Sequence, residues 1–79
     1  MSKADEMFAM LGYLKYENDR TVEFYKYGHT FSDLEVCYII RFYYNDKEIF
    51  LNFPIKIKEL QAINEKIKEL GWLNETKEI

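Results

Sequence analysis

Cysteine, histidine, tryptophan and proline each occur once in this 79-residue chain, and glycine three times. Each scarcity removes a class of chemistry. Cys37, alone, cannot form a disulfide within the chain. One Cys and one His fall short of the four ligands of a structural zinc site. His29 sits between Gly28 and Thr30 with no carboxylate, Ser or Cys indicated as its partner, so it reads as an ordinary polar loop residue. Cys37 falls in the middle of a β-type segment and reads as a small hydrophobe. Gly12, Gly28 and Gly71 are too dispersed to form a phosphate-cradling loop. The expectation is a protein with no catalytic residues, no metal and no cofactor: not an enzyme.

Charge of one sign is missing as well. The formal net charge is −3, with acidic and basic residues interspersed, and a duplex-binding domain would carry a basic excess. No apolar run approaches the length of a membrane span. The opening Met1-Ser2-Lys3-Ala4-Asp5-Glu6 lacks the hydrophobic core of a signal peptide. A single cysteine suits a reducing compartment. These features lead us to expect a cytoplasmic protein without membrane contact.

What the chain has is apolar and aromatic mass. Hydrophobic residues make up 48% of it and aromatics 18%, which argues against disorder. A single domain over 1–79 buries only roughly 60% of the surface its unfolded chain exposes. Without disulfide or metal, stability then falls to dense packing or to self-association, and a homodimer is one expectation.

Leu11-Gly12-Tyr13 and Leu70-Gly71-Trp72 are one signal written twice. Gly adopts the left-handed conformation that ends a helix without a Cβ clash. Before the first, Ser2 is placed as an N-cap, and Ala4, Met7, Phe8 and Leu11 recur on one helical face. The pattern predicts a helix over 3–11. Before the second, Leu60, Ile63, Ile67 and Leu70 form an apolar stripe, with Lys58, Glu59, Gln61, Glu65, Lys68 and Glu69 on the other sides. It predicts a helix over 57–70, with no Ser, Thr, Asn or Asp to cap its start. The polar segment 74–79 is expected to fray.

Between the two signals the period changes to two. β-branched and aromatic residues predict strands over 13–18, 21–27, 34–44 and 48–53. Asn18-Asp19-Arg20 and Asn45-Asp46-Lys47 are turns, Gly28 to Asp33 is the longest loop, and Pro54 ends the last strand. Short connections imply an antiparallel meander. The predicted fold is a two-layer α+β domain of order α-β-β-β-β-α, with a short N-terminal and a longer C-terminal helix.

Seven tyrosines fall almost wholly on the predicted strands. β propensity and cross-strand packing account for some of them. In the long third strand, the even positions Val36 to Tyr44 carry no charge and are the expected core side. Ile39, Arg41 and Tyr43 then face outward, joined by Tyr25 and Tyr27 if their strand is adjacent. Tyr, Ile and Arg on an exposed face have the composition of a protein-binding hot spot. Tyr25, Tyr27, Ile39, Arg41 and Tyr43 are therefore the candidate partner-binding residues. Stacking of single-stranded nucleic acid is the alternative, weakened by Glu17, Glu23 and Glu35, which offset Lys15, Lys26 and Arg41. A further alternative is sequestration of a small ligand at a subunit interface, although nothing in the sequence marks an anion nest.

The N-terminal Ala4-Asp5-Glu6-Met7-Phe8 closing at Leu11-Gly12-Tyr13, together with the run from Leu60 to Trp72, resembles the ends of small uncharacterised phage and prophage proteins of low-GC Gram-positive bacteria. The two runs cover about a quarter of the chain. The chain departs from them at Lys56, where Ser or Thr is expected. The resemblance implies a phage-encoded accessory protein acting in the host cytoplasm on a host or phage protein, a defence protein included. It implies no biochemical activity and carries no functional residues over.

Overall fold

The computed structural model describes residues 2–73; the fraying expected over 74–79 lies outside the described residues. The order is α1 (Lys3–Met10), β1 (Leu14–Glu17), β2 (Thr21–His29), β3 (Glu35–Tyr43), β4 (Glu48–Leu51) and α2 (Ile57–Glu69). The chain is an α+β protein, with four antiparallel strands in one open sheet of order β1-β2-β3-β4. Two compact units are present. Among the described residues, one comprises those up to Leu11 and those from Ile55 to Leu73; the other is Gly12–Pro54.

In the helical unit, Ser2 caps α1: its Oγ accepts the Asp5 N–H at 3.1 Å. Gly12 and Gly71 follow the two helices at φ +92° and +78°, the left-handed conformation expected of each stop. The start of α2 carries a cap that its sequence does not advertise. Lys56 is extended, and the Glu59 carboxylate turns back to accept its N–H at 2.7 Å. That is the reaching-back half of a capping box.

The buried side of α2 is also displaced from the expected stripe. Glu59, Ala62, Ile63 and Lys66 are buried, whereas Leu60 is 41% exposed. Two charged residues lie on the buried side because each is paired there. Glu59 caps the helix, and the Lys66 ammonium lies 3.1 Å from Asp5 of α1 and also meets Glu69. A long polar side chain counts as solvated in a hydropathy pattern, but a paired one can be buried.

In the sheet unit, every strand lies within a few residues of its predicted bounds. Asn18 builds the β1–β2 turn, its Oδ1 accepting the N–H groups of Arg20 and Thr21, each at 2.8 Å. Tyr13 precedes β1 rather than opening it; it is buried, with the Lys26 ammonium 4.6 Å from its ring centre. The expected Gly28–Asp33 loop is shorter than its sequence suggests. β2 continues through Gly28 and His29, which pair with Val36 and Glu35. The Tyr38 ring occupies the space above Gly28: a Cβ there would lie 2.7 Å from Tyr38 Cε2, so the position has room only for glycine. The connection that remains closes on Thr30, whose N–H donates to the Leu34 carbonyl at 2.9 Å, with Asp33 at φ +61°.

The register sorts the two faces of the sheet. Val22 opposes Phe42 and Phe24 opposes Ile40, and all four are fully buried. The rings of Phe24 and Phe42 meet edge to face at 6.1 Å. Fully burying side chains of this size contributes about 1.5–3 kcal/mol each. The uncharged side of β3 is therefore the core side.

Candidate protein-binding face

Side chains of paired residues in neighbouring strands point to the same face. The register therefore sets out the other face in rows. Leu14, Tyr25 and Ile39 form one row; Tyr16, Glu23, Arg41 and Phe50 form the next; Thr21, Tyr43 and Glu48 form the third. Tyr27 and Cys37 extend the face along β2 and β3. All five residues expected from sequence, Tyr25, Tyr27, Ile39, Arg41 and Tyr43, lie together here. Tyr27 is 65% exposed, and Tyr25, Ile39, Arg41 and Tyr43 are half-buried. The Tyr25 and Tyr27 rings meet edge to face at 6.1 Å.

Leu14, Tyr16 and Phe50 belong to the same face and were not among the expected residues. Tyr16 is 55% and Phe50 43% exposed. Their signal was the alternation of the two outer strands, which has meaning only once those strands are registered against β2 and β3.

Arg41 is a bound element of this surface. Its Nε donates to Glu23 Oε1 at 2.7 Å and its Nη2 lies 2.6 Å from the same oxygen. Nη1 donates to the Tyr43 hydroxyl at 3.1 Å. The guanidinium also sits 5.9 Å from the Tyr43 ring centre and 5.6 Å from that of Phe50. The hydrogen bond to Tyr43 and the pairing with Glu23 hold its pKa above the ordinary arginine value. The centre of the face is thus aromatic, with one charge pair neutralised inside it. Its other carboxylates, Glu35 and Glu48, are exposed at opposite ends of β3.

Among the described residues no group of three or more His, Cys, Asp or Glu side chains could hold a metal ion. Among the same described residues no helix is long and apolar enough to cross a membrane. No protein-family model, curated protein or solved structure matches this chain.

Proposed function

We propose that this chain is a protein-binding module whose contact surface is the face carrying Tyr25, Tyr27, Ile39, Arg41 and Tyr43, widened by Leu14, Tyr16 and Phe50. One observation carries the reading: these residues share an accessible face on which the central arginine is neutralised by a neighbour within the same face. Large amphipathic rings supply contact area at low entropic cost. A charge that already has its partner can enter an interface without being stranded. The unpaired charge of the face is acidic, at Glu35 and Glu48, and favours a protein over a nucleic acid, because it repels phosphate. The resemblance of the chain ends to phage proteins directs the search to bacterial cytoplasm, and a host protein, a defence protein included, is the first partner class to test.

A photo-reactive residue at Tyr27 tests the reading, with the same residue at exposed Lys58 on α2 as control. A lysate protein cross-linked only from position 27, competed by unlabelled chain and lost in a Tyr43→Ala variant, is the expected outcome. Equal capture from both positions removes the face assignment. Binding of single-stranded oligonucleotides with a steep salt dependence replaces protein binding with nucleic-acid binding.

A further inference from the structure

The sheet is open, and β1 is one of its edges. All four residues of β1, Leu14-Lys15-Tyr16-Glu17, are exposed. The phase of this edge is fixed by the turn that follows it. The Asn18 N–H donates to the Thr21 carbonyl at 2.9 Å. In an antiparallel ladder, main-chain groups point alternately toward and away from the neighbouring strand. Those of Leu14 and Tyr16 therefore face β2, and those of Lys15 and Glu17 face away from the sheet.

Two copies meeting antiparallel across this edge can align these outward groups in three ways within the strand. Centred on Lys15, the register sets lysine against lysine. Centred on Glu17, it sets glutamate against glutamate. Centred on Tyr16, it sets Lys15 of each copy against Glu17 of the other, twice. Like charges directly opposite destabilise a strand pair, and unlike charges stabilise it. Lys15 and Glu17 point to the same side of the sheet, and within one chain Lys15 Nζ is already 3.4 Å from Glu17 Oε1.

We propose that the partner fitting this edge is a second copy of the chain, joined β1 to β1 in the register centred on Tyr16. The product is one eight-stranded antiparallel sheet with a twofold axis, the symmetric contact that self-complementary edges form. The two Tyr16 side chains meet across the axis and join two aromatic faces into one. A lysine on an edge strand ordinarily discourages strand addition. Here the glutamate two residues on makes the edge complementary in charge to a second copy of itself in the Tyr16-centred register. At β4, the opposite edge, the outward positions Ile49 and Leu51 hold no charge that would choose a register. A four-residue edge is far smaller than the roughly 800 Å² per partner of a standard interface. The dimer is therefore weak and transient.

The inference concerns the main-chain edge of β1 and does not depend on the binding reading above, although Tyr16 belongs to both surfaces. It is tested by sedimentation equilibrium and by disulfide trapping in a Cys37→Ser background. Lys15→Glu or Glu17→Lys is expected to raise the dimer dissociation constant about tenfold, and the double exchange to restore it. Tyr16→Cys is expected to trap a dimer under mild oxidation, because directly opposed residues of a non-hydrogen-bonded pair have Cα atoms about 4.5 Å apart. Phe50→Cys on β4 is expected to remain monomeric. Circular dichroism confirms that each variant is folded. A wild-type chain that is monomeric at millimolar concentration, or trapping at Phe50→Cys without trapping at Tyr16→Cys, overturns the proposal. Loss of the cross-link from Tyr27 with the dimer intact would count against the binding face alone.

Discussion

Glu23 and Arg41 face each other across β2 and β3, and one carboxylate oxygen of Glu23 takes both the Nε and the Nη2 of the guanidinium, at 2.7 and 2.6 Å. The pair stands at the centre of the aromatic face, between Tyr16 and Phe50 in the same row. Because the arginine side chain is 31% exposed and the glutamate 19%, water screens part of the attraction. A double-mutant cycle with Glu23→Gln and Arg41→Met, followed by urea unfolding, is expected to give a coupling of about 0.5–1 kcal/mol, smaller at high salt. Arg41 has a raised pKa in the folded chain. A raised value stabilises the fold at every pH below the unfolded value and is lost only as pH rises past the folded one. Titration up to about pH 11 should therefore remove none of the Arg41 contribution.

Lys66 and Asp5 join α1 to α2 across 61 residues of sequence, with only 5% of the lysine side chain exposed. Removing one partner of a buried pair strands the other. Asp5→Ala is expected to destabilise by about 2 kcal/mol, less than a full stranding because Glu69 still meets the ammonium. Combining Asp5→Leu with Lys66→Met should cost less than Asp5→Ala alone. Urea denaturation of the three variants checks the order.

Gly12 has φ +92°, and a Cβ built there would meet nothing within 4 Å. Its requirement is thus conformational rather than steric contact with neighbours. L-alanine at this position is expected to cost about 1 kcal/mol. D-alanine, introduced by chemical synthesis, should cost nothing measurable by thermal unfolding.

Gly28 presents the opposite case. Its backbone needs no left-handed geometry, but the Tyr38 ring, itself 5.0 Å from the ring of Phe53, lies where a Cβ would go. Gly28→Ala is expected to destabilise by about 1–3 kcal/mol through overpacking. Tyr38→Leu in the same chain should recover part of that loss. Tyr38→Leu alone, measured in parallel, separates relief of the clash from loss of the ring.

Asn52 closes the edge of β3 beyond the end of β4. Its Oδ1 accepts the Ile39 N–H at 2.8 Å, and its Nδ2 donates to the Cys37 carbonyl at 2.9 Å. The carboxamide occupies two main-chain positions that a longer β4 would fill. Asn52→Ala is expected to speed amide hydrogen exchange at Ile39 and to cost about 1 kcal/mol.

The amino-acid order by itself determined the element order, the two helix stops at Gly12 and Gly71, the Asn18 turn and the core side of β2 and β3. These depend on residues close together in the chain: a cap, a left-handed glycine, a period of two. The absence of disulfide and phosphate-loop chemistry is equally a matter of composition. Tertiary structure alone decided what distant residues do to one another. Strand register set Tyr16, Glu23, Arg41 and Phe50 in one row and turned an apparently available arginine into a neutralised one. Asp5, brought onto α2, gave the buried Lys66 its partner, on a buried side that leaves Leu60 exposed. Val36 and Glu35 of β3, pairing with Gly28 and His29, kept both in the strand where their local sequence signals a loop. Local pattern encodes the period and ends of an element, but a charge or a glycine takes its role from its neighbours, and those are supplied by the fold.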